Sequence, residues 1–503
     1  MSVESARDVL VRHLDVRCGA LRKGDRTFHD TFDGRLFAAG VSLVHEDGEW
    51  ALVEMQSGWV RARLHAPAPT PPLFAHDLEG GALRESVLPI TDVRALLPLA
   101  RLQVAERTVA VLDSEGKTVV RGSLIKAVLL EPTTGDRVLR PRLALSAVRG
   151  YDNELRRIRQ ALAHELGFQP AGRPLFVEAV SAAGGTPGGI ASKVEVSLSY
   201  EQRADAAVVA VLRRLVEVIE ANLEGTIADI DPEFLHDLRV SIRRSRSVQD
   251  ELRGVFPPRE LAHFRGEFRW LAQITGEARD LDVSVTEFDA YRLMLPEATR
   301  PDLDPLLELL RIRRMTARDE MVRALTGERA AALFREWSTF LSVLETISDE
   351  EQREAARPIG ELTGERIRKL YERLLRMGGA IDQSSPAEEY HDLRKKGKEL
   401  RYLLDLFAAP LYPSQVVAEM LKALKGMQDT LGRHQDRDLQ AAMLTALSDD
   451  VAGLRGGPRA LMAMGMLVGR LCEDALSARR EFAERFGAFA SKGQRQLVKQ
   501  TFG

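Results

Sequence analysis

Two segments of the chain place a histidine and three cationic residues at the spacing of a single helical face. The segments are HDLRVSIRRSRSVQDEL (236–252) and HDLRKKGKELRYLLDLF (391–407). Their face residues are His236, Arg239, Arg243 and Arg246 in the first segment, and His391, Arg394, Lys398 and Arg401 in the second. At about 100° per residue, each set falls within an arc of roughly 80°. Guanidinium, ammonium and imidazole groups on one arc suit charge-assisted hydrogen bonds to the oxygens of a phosphate-bearing anion.

These segments belong to a longer internal repeat. They align at an offset of 155 residues, and downstream FRWLAQITGEARDLDV (268–283) aligns with LKGMQDTLGRHQDRDL (424–439) at an offset of 156. The second alignment matches Arg269 with Lys425, Gly276 with Gly432, Asp280 with Asp436 and Asp282 with Asp438. A duplication of this length predicts two copies of one helical unit related by pseudo-symmetry. The matched aspartates are predicted to lie at helix starts, where carboxylates cap free N–H groups and orient nearby arginines.

A solvated helix surface is the ordinary explanation of a run of charge. Such a surface normally mixes signs through Glu–Lys pairs one turn apart, whereas the face positions of both segments carry no carboxylate. Their like charges repel one another, and an external anion would offset that repulsion. Other cationic positions extend the predicted site, although acidic neighbours such as Asp319, Glu320 and Glu372 could pair with some of them. These positions are Arg269, Arg314, Arg318, Arg366, Arg373, Lys395 and Lys425.

The overall composition says more about the cellular compartment of the protein than about its ligand. The formal net charge of the 503 residues is only −3, so any case for an anionic ligand must come from local patterning. Cys18 and Cys472 form neither a disulfide framework nor a zinc site, which is typical of a reducing cytosol. The N-terminal residues lack the apolar core of a signal peptide, and Leu461 to Val468 is too short to span a bilayer. We expect a cytoplasmic protein with no membrane partner, no bound metal and no cofactor.

The pattern of apolar residues predicts an α+β multidomain chain. Short apolar runs at 36–44, 49–55, 59–64, 101–113 and 118–130, separated by turn signals, predict a β-rich first part with one helix at 153–166. The proline-rich stretch 66–74 is predicted to be a loop, and SAAGGTPGGIASK (181–193) a flexible boundary. After about residue 200 only helical periodicity remains. The predicted domains are 1–180, a linker at 181–199 and a helical domain at 200–503, with repeats at about 200–350 and 351–503.

The repeated HDLR helices and the segments that follow them resemble the CHAD family, the conserved-histidine α-helical domain. The resemblance covers roughly residues 200–440. It implies a bundle of two four-helix repeats whose basic central surface binds inorganic polyphosphate, and some members of that family concentrate on polyphosphate granules. Carried onto this sequence, the implied binding residues are the eight face positions above, with Arg269 and Lys425 flanking them. Lys395 and Lys396 correspond to Val240 and Ser241, so the second copy is the more basic.

The first part of the chain resembles the CYTH domain, a triphosphate-tunnel fold that often precedes a CHAD domain. The resemblance rests on residues 29–50, 107–120 and 143–162. Active members open with an ExExK motif and carry acidic residues on later strands. Here the opening strand reads HLDVR (13–17), and a later one, PRLALS (141–146), has no glutamate. Without clustered carboxylates to hold Mg²⁺ against a triphosphate, we expect a degenerate CYTH-like barrel without catalytic activity.

The residues leave two other functions open. His236-Asp237 and His391-Asp392 are similar to the metal-binding His-Asp pairs of helical phosphohydrolases, and His434 could be a further ligand, but a cationic helix face repels a metal ion. Nucleic-acid binding through phosphates alone is the second alternative. Aromatic residues are only 6% of the chain and do not alternate with the cationic stripe in the way that base stacking requires.

Overall fold

The computed structural model describes residues 3–67, 72–130, 135–190, 192, 194–347 and 352–503. It divides into two compact units, Met1–Ala191 and Ser192–Gly503, at a point within the predicted linker. Parts of three sequence predictions lie outside the described residues: 68–71 of the proline-rich loop, 191 and 193 of the glycine-rich boundary, and 348–351 at the junction of the predicted repeats. The predicted combination of a β-rich first part and an all-α second part is confirmed.

The first unit is built on one antiparallel sheet. Its strands are β1 (Val16–Asp30), β2 (Val41–Glu46), β3 (Glu49–Glu54), β4 (Val60–His65), β5 (Leu73–Phe74), β6 (Ala95–Leu112), β7 (Thr118–Leu129), β8 (Arg137–Val138) and β9 (Arg142–Ala147). They run in the order β4-β3-β2-β1-β6-β7-β8, with β5 paired to β6 and β9 to β7. In the part of the chain that the structure describes, this is an open sheet rather than a closed barrel.

Helices flank this sheet. They are α1 (Val3–His13), α2 (Arg35–Ala38), α3 (Ala82–Thr91), α4 (Asp152–His164) and α5 (Leu175–Ala182), with a 3-10 turn at Ala75–Asp77. α4 is the predicted helix at 153–166. The predicted strand at 36–44 is partly wrong, because its first residues form α2. Asp30 caps that helix by accepting hydrogen bonds from the N–H groups of Leu36 and Phe37.

The second unit consists of helices, and its first half contains α6 (Ala204–Ala228), α7 (Pro232–Glu251), α8 (Pro258–Ile274), α9 (Gly276–Thr286), α10 (Phe288–Leu293), α11 (Asp304–Leu325) and α12 (Glu328–Val343). Its 3-10 turns are Arg253–Val255, Glu297–Leu303 and Leu344–Thr346. The second half contains α13 (Ile359–Ala380), α14 (Ala387–Leu403), a π segment at Leu404–Ala408, α15 (Ala409–Leu411), α16 (Ser414–Ala446), α17 (Ser448–Ala452), α18 (Gly457–Phe489) and α19 (Lys492–Phe502).

Helix starts reproduce the offsets found in the sequence. α6 and α13 begin at Ala204 and Ile359, and α7 and α14 begin at Pro232 and Ala387, both 155 residues apart. The long α16 corresponds to α8 and α9 together. The repeats also pack alike: α12 lies on α6 as α19 lies on α13, and α9 lies on α11 as α16 lies on α18. One continuous apolar core joins both halves, so the repeats form a single folded body.

None of the helices that the structure describes is both long and apolar enough to cross a lipid bilayer.

Candidate functional site

The two cationic helices, α7 and α14, pack against each other. Each buries its apolar side in the shared core, with Leu238 and Leu393 fully buried. α7 begins sharply because the Asp231 side chain accepts hydrogen bonds from two N–H groups of its first turn and Pro232 fixes the next residue. The apolar stripes therefore turn the predicted cationic arcs toward one common surface.

The matched residues Arg243 and Lys398 lie close enough across the two packed helices for their positive charges to repel each other. Burial and the positive charges of Arg394 and Arg243 together lower the pKa of Lys398 to about 8. Neither Arg243 nor Lys398 forms a hydrogen bond or an ion pair with any other described residue. Because the two are counterparts in the repeats, their proximity places them near the pseudo-twofold axis.

Two further electrostatic contacts join the repeats beside this pair. Arg244 lies near Asp405, whose negative charge opposes the lowering of the Arg244 pKa by burial. In the second repeat, Glu399 corresponds to Arg244, and Asp250 in the first repeat corresponds to Asp405. Glu399 forms a hydrogen bond with Glu251, the residue that follows Asp250. Burial and the charge of Glu399 raise the pKa of Glu251. These contacts join the two repeats at neighbouring rather than strictly equivalent positions.

Arg239 and Arg394 are matched arginines held against the third helix of their own repeat. Arg239 Nη1 donates to the carbonyl of Ala272 and to Thr275 Oγ1, both at 2.9 Å. Burial lowers its pKa to about 10, and the charge of Arg243 contributes. Arg394 Nη1 donates to Gln435 Oε1 at 3.0 Å.

Gly276 and Gly432, the matched glycines of the second motif, lie beneath these two guanidinium groups. A Cβ atom built at Gly276 would lie 3.7 Å from Arg239 Nη1, and one at Gly432 would lie 3.7 Å from Arg394 Nη2. Both distances are ordinary van der Waals contacts, so the two guanidinium groups pack directly against the glycine positions. The matched glycines of the second motif therefore lie beside matched arginines of the first motif in both repeats.

The two histidines contact residues that sequence reasoning passed over. His236 Nδ1 lies 3.1 Å from Arg279 Nη2, and His391 Nδ1 contacts the amide nitrogen of Gln435. Arg279 and Gln435 are counterparts at an offset of 156. A comparison of the repeats that searches for shared residue types misses them because the two residue types differ.

Three predicted site residues already have their charges balanced within the protein. Arg314 pairs with Asp229 at 2.7 Å and Asp282 at 2.5 Å, and Arg318 pairs with Asp229 at 3.0 Å. Arg366 pairs with Glu354 at 2.7 Å. The expected partners Asp319 and Glu320 are not the ones used, because the actual carboxylates come from other segments of the chain.

Three exposed or half-exposed predicted cations pair weakly with their own helix. Lys395 lies 3.6 Å from Asp392, Arg401 lies 3.5 Å from Asp405, and Lys425 lies 4.0 Å from Asp429. Solvent-exposed pairs of this kind contribute about 0–1 kcal/mol. These cations could therefore exchange their partner for a stronger anion at little cost.

The remaining predicted residues line two adjoining cavities at the end of α7. One cavity of about 350 Å³ is lined by Asp250, Glu251, Arg253, Arg265, Arg366, Arg373, Lys396 and Glu399. A smaller one of about 40 Å³ is lined by Arg246, Gln249, Asp250, Arg265 and Arg269. Asp250 and Arg265 border both cavities, and the linings mix cations with the carboxylates of Asp250, Glu251 and Glu399.

The predicted helix-start role of the second-copy aspartates is wrong. Asp436 and Asp438 lie in the middle of α16, and Asp436 instead accepts a hydrogen bond from Arg394 at 3.3 Å. In the first copy Asp282 orients Arg314. Asp282 and Asp436 therefore orient arginines, as was also expected from the sequence.

His434 lies in the core of the second repeat. It is 3% exposed, packs on the Tyr390 ring and accepts a hydrogen bond from Arg479 Nε at 3.3 Å. Burial and the charge of Arg479 lower its pKa. Within the described residues, no group of three or more His, Cys, Asp or Glu side chains is arranged to hold a metal ion. His434 is therefore occupied by core contacts rather than directed toward the His391-Asp392 pair.

The duplicated helices and their joined cationic faces define an all-helical module with a cationic surface. Residues 210–445 match the family described as CHAD domain, and this part of the chain is a CHAD domain. The sheet of the first unit is consistent with the CYTH-like resemblance.

Two solved structures are similar to the chain. The CHAD domain from the plant Ricinus communis is 25% identical, with 60% of this chain and 96% of that chain covered and a TM-score of 0.48. PptA from Streptomyces chartreusis is 17% identical, with 57% of this chain and 99% of that chain covered and a TM-score of 0.44. None of the curated proteins compared with the chain matches it significantly.

Proposed function

We propose that the helical unit binds inorganic polyphosphate along the surface where the cationic faces of α7 and α14 meet. The observation that carries the proposal is the pair Arg243 and Lys398, two half-buried cations whose charges repel and neither of which forms an ion pair within 4 Å among the described residues; the nearby Asp436 offsets the repulsion only in part. Like charges held together in a partly buried place destabilise the free protein, and a bound polyanion would remove that repulsion.

A linear phosphate chain suits this surface better than a single phosphate does. Cations extend outward on both sides of the axis, to Arg239 and Arg246 in the first repeat and to Arg394 and Arg401 in the second. Each contact with a phosphoryl oxygen is modest, but many such contacts along one chain add up. On this proposal the protein would concentrate where polyphosphate accumulates, in the cytoplasm at polyphosphate granules.

Titration of the full chain with size-fractionated polyphosphate tests the proposal. The logarithm of the affinity should fall linearly with the logarithm of salt concentration, with a slope of about 0.7 for each phosphate contacted, as for other single-stranded polyanions. Single-stranded DNA at the same phosphate concentration is the matched competitor, and we expect it to displace little bound polyphosphate. Equal competition by DNA, or no binding at low salt, would contradict the proposal.

We further propose that the first unit does not act on triphosphates. Arg26 on β1 bonds both Glu46 on β2, at 2.9 Å, and Glu106 on β6, at 2.8 Å, so these strand carboxylates are already neutralised. Incubation of the full chain with ATP, thiamine triphosphate or tripolyphosphate in Mg²⁺ or Mn²⁺ should give no turnover above a protein-free blank. Turnover that disappears in a Glu46→Gln/Glu106→Gln variant would show that the sheet is catalytic.

A further inference from the structure

The side chain opposite His236 can only donate hydrogen bonds. Arg279 Nη2 lies 3.1 Å from His236 Nδ1, and a guanidinium group has no acceptor. His236 Nδ1 must therefore be the unprotonated nitrogen of the ring, which leaves the proton on Nε2. Arg279 is held in this position from a second side, since its Nη1 donates to the carbonyl of Pro232 at 2.9 Å.

In the second repeat, a different side chain places the histidine proton on the same ring nitrogen, Nε2. Arg394 Nη1 donates to Gln435 Oε1 at 3.0 Å, and this contact fixes which end of the carboxamide is the oxygen. The NH₂ end then faces His391 Nδ1 and donates to it. His391 Nδ1 is therefore also the acceptor, and its proton also lies on Nε2.

The agreement between the repeats is not explained by copying alone. A duplication left unchanged would keep the same residue opposite both histidines, but position 279 is arginine and position 435 is glutamine. What the two side chains share is an N–H donor directed at Nδ1. The feature retained in both repeats is thus the tautomer of the ring rather than the residue type beside it.

We propose that Arg279 and Gln435 are positioning residues that hold His236 and His391 as neutral rings with the proton on Nε2, so that each ring offers one N–H donor to a phosphoryl oxygen. This inference rests on the proposed polyphosphate binding for its purpose, but the ring state itself is a property of the free protein. The two can therefore fail separately.

Nitrogen-15 NMR of the full chain, labelled at its ten histidines, measures the tautomers without any ligand. His→Gln variants at 236 and 391 assign the two rings. We expect both rings to show the pattern of a proton on Nε2 at neutral pH. A proton on Nδ1, or two protons, at either ring in the parent would overturn the inference, whatever the polyphosphate titration gives.

Substitutions at position 435 provide a matched pair. Gln435→Arg repeats the chemistry of the first repeat and should leave the His391 tautomer unchanged. Gln435→Glu has nearly the same shape but replaces the donor by an acceptor, so the His391 proton should move to Nδ1. Polyphosphate affinity should then fall roughly ten-fold in Gln435→Glu, as expected when one charge-assisted hydrogen bond is removed. An unchanged tautomer in Gln435→Glu, with a normal melting curve, would show that Gln435 does not set the ring state.

Discussion

Arg243→Glu should weaken polyphosphate binding while making the protein more stable. The new carboxylate would lie near Lys398, so a repulsion in the free protein becomes an attraction. A partly exposed pair of this kind contributes about 1 kcal/mol at most, enough to raise the melting temperature by a few degrees. Binding should fall by roughly ten-fold to a hundred-fold, because a central cation is replaced by a like charge facing the ligand. The salt dependence should also flatten by about 0.7 for each phosphate that the variant no longer neutralises.

Reciprocal and control variants make this result specific. Lys398→Glu should behave in the same way, because Arg243 then gains the carboxylate partner. The double variant Arg243→Glu/Lys398→Glu should lose the gain in stability, since two carboxylates now repel. Arg311→Glu makes the same charge change at an exposed residue outside α7 and α14 and should change affinity little. Titrations at two ionic strengths and melting curves give both readouts. If Arg243→Glu and Lys398→Glu stay folded and bind like the parent, the cationic faces are merely solvated.

Arg239 and Arg394 are less suitable for such a test. The Arg239 guanidinium group holds the end of α8 through Ala272 and Thr275. A charge-reversing substitution of Arg239 would leave those groups without their hydrogen-bond donor. A loss of folding could then not be told apart from a loss of binding.

Polyphosphate affinity should fall as the pH rises above about 8. The pKa of Lys398 in the free protein is lowered to about 8, so its charge is lost as the pH passes through this value. A bound polyanion favours the charged form, so binding above pH 8 must draw a proton from solution, up to about one per site. The affinity loss should approach ten-fold per pH unit where Lys398 is neutral in the free protein. Calorimetry in buffers of different ionisation enthalpy measures this uptake directly.

Lys398→Arg is the matched control, because arginine stays charged throughout this range. Its proton uptake should disappear and its affinity should depend less on pH. The same shift affects stability: between about pH 8 and 10.5 the unfolded chain binds the Lys398 proton and the folded chain does not. The free parent should therefore gain stability from this group as the pH rises through that window. Equal proton uptake in the parent and in Lys398→Arg would exclude Lys398 as the source.

The cationic arcs and the repeat offsets could be predicted because both are periodic properties of the sequence. Helical spacing places Arg239 and Arg243 on one face, and α7 and α14 begin 155 residues apart, as the alignment requires. The sequence could not predict which cations have their charge balanced by a carboxylate of the protein. Arg314 and Arg318 look like part of the stripe, but Asp229 reaches both from the turn after α6. Such pairing depends on tertiary packing, which no local pattern records.

In the first unit, the secondary structure could not be predicted from the sequence where the conformational preference of the residues conflicts with the element that they form. α3 contains Pro89 inside its span, a residue that normally argues against a helix. The run 36–44 is apolar enough for a strand, but Gly40, at φ +74°, turns the chain between α2 and β2. Short elements of this kind are decided by caps and turns rather than by periodicity.

The reciprocal arrangement around Arg243 and Lys398 also bears on the geometry of a ligand. An unbranched polyphosphate chain is chemically identical in both directions, whereas a nucleic-acid strand has distinct 5′ and 3′ ends. A surface whose two halves are interchanged by a half-turn presents nearly the same contacts to a directionless chain in both orientations. A directional strand would match one half and be reversed on the other. The small differences between the halves, such as Lys395 and Lys396 opposite Val240 and Ser241, would then be the only features that distinguish one end of the bound chain from the other.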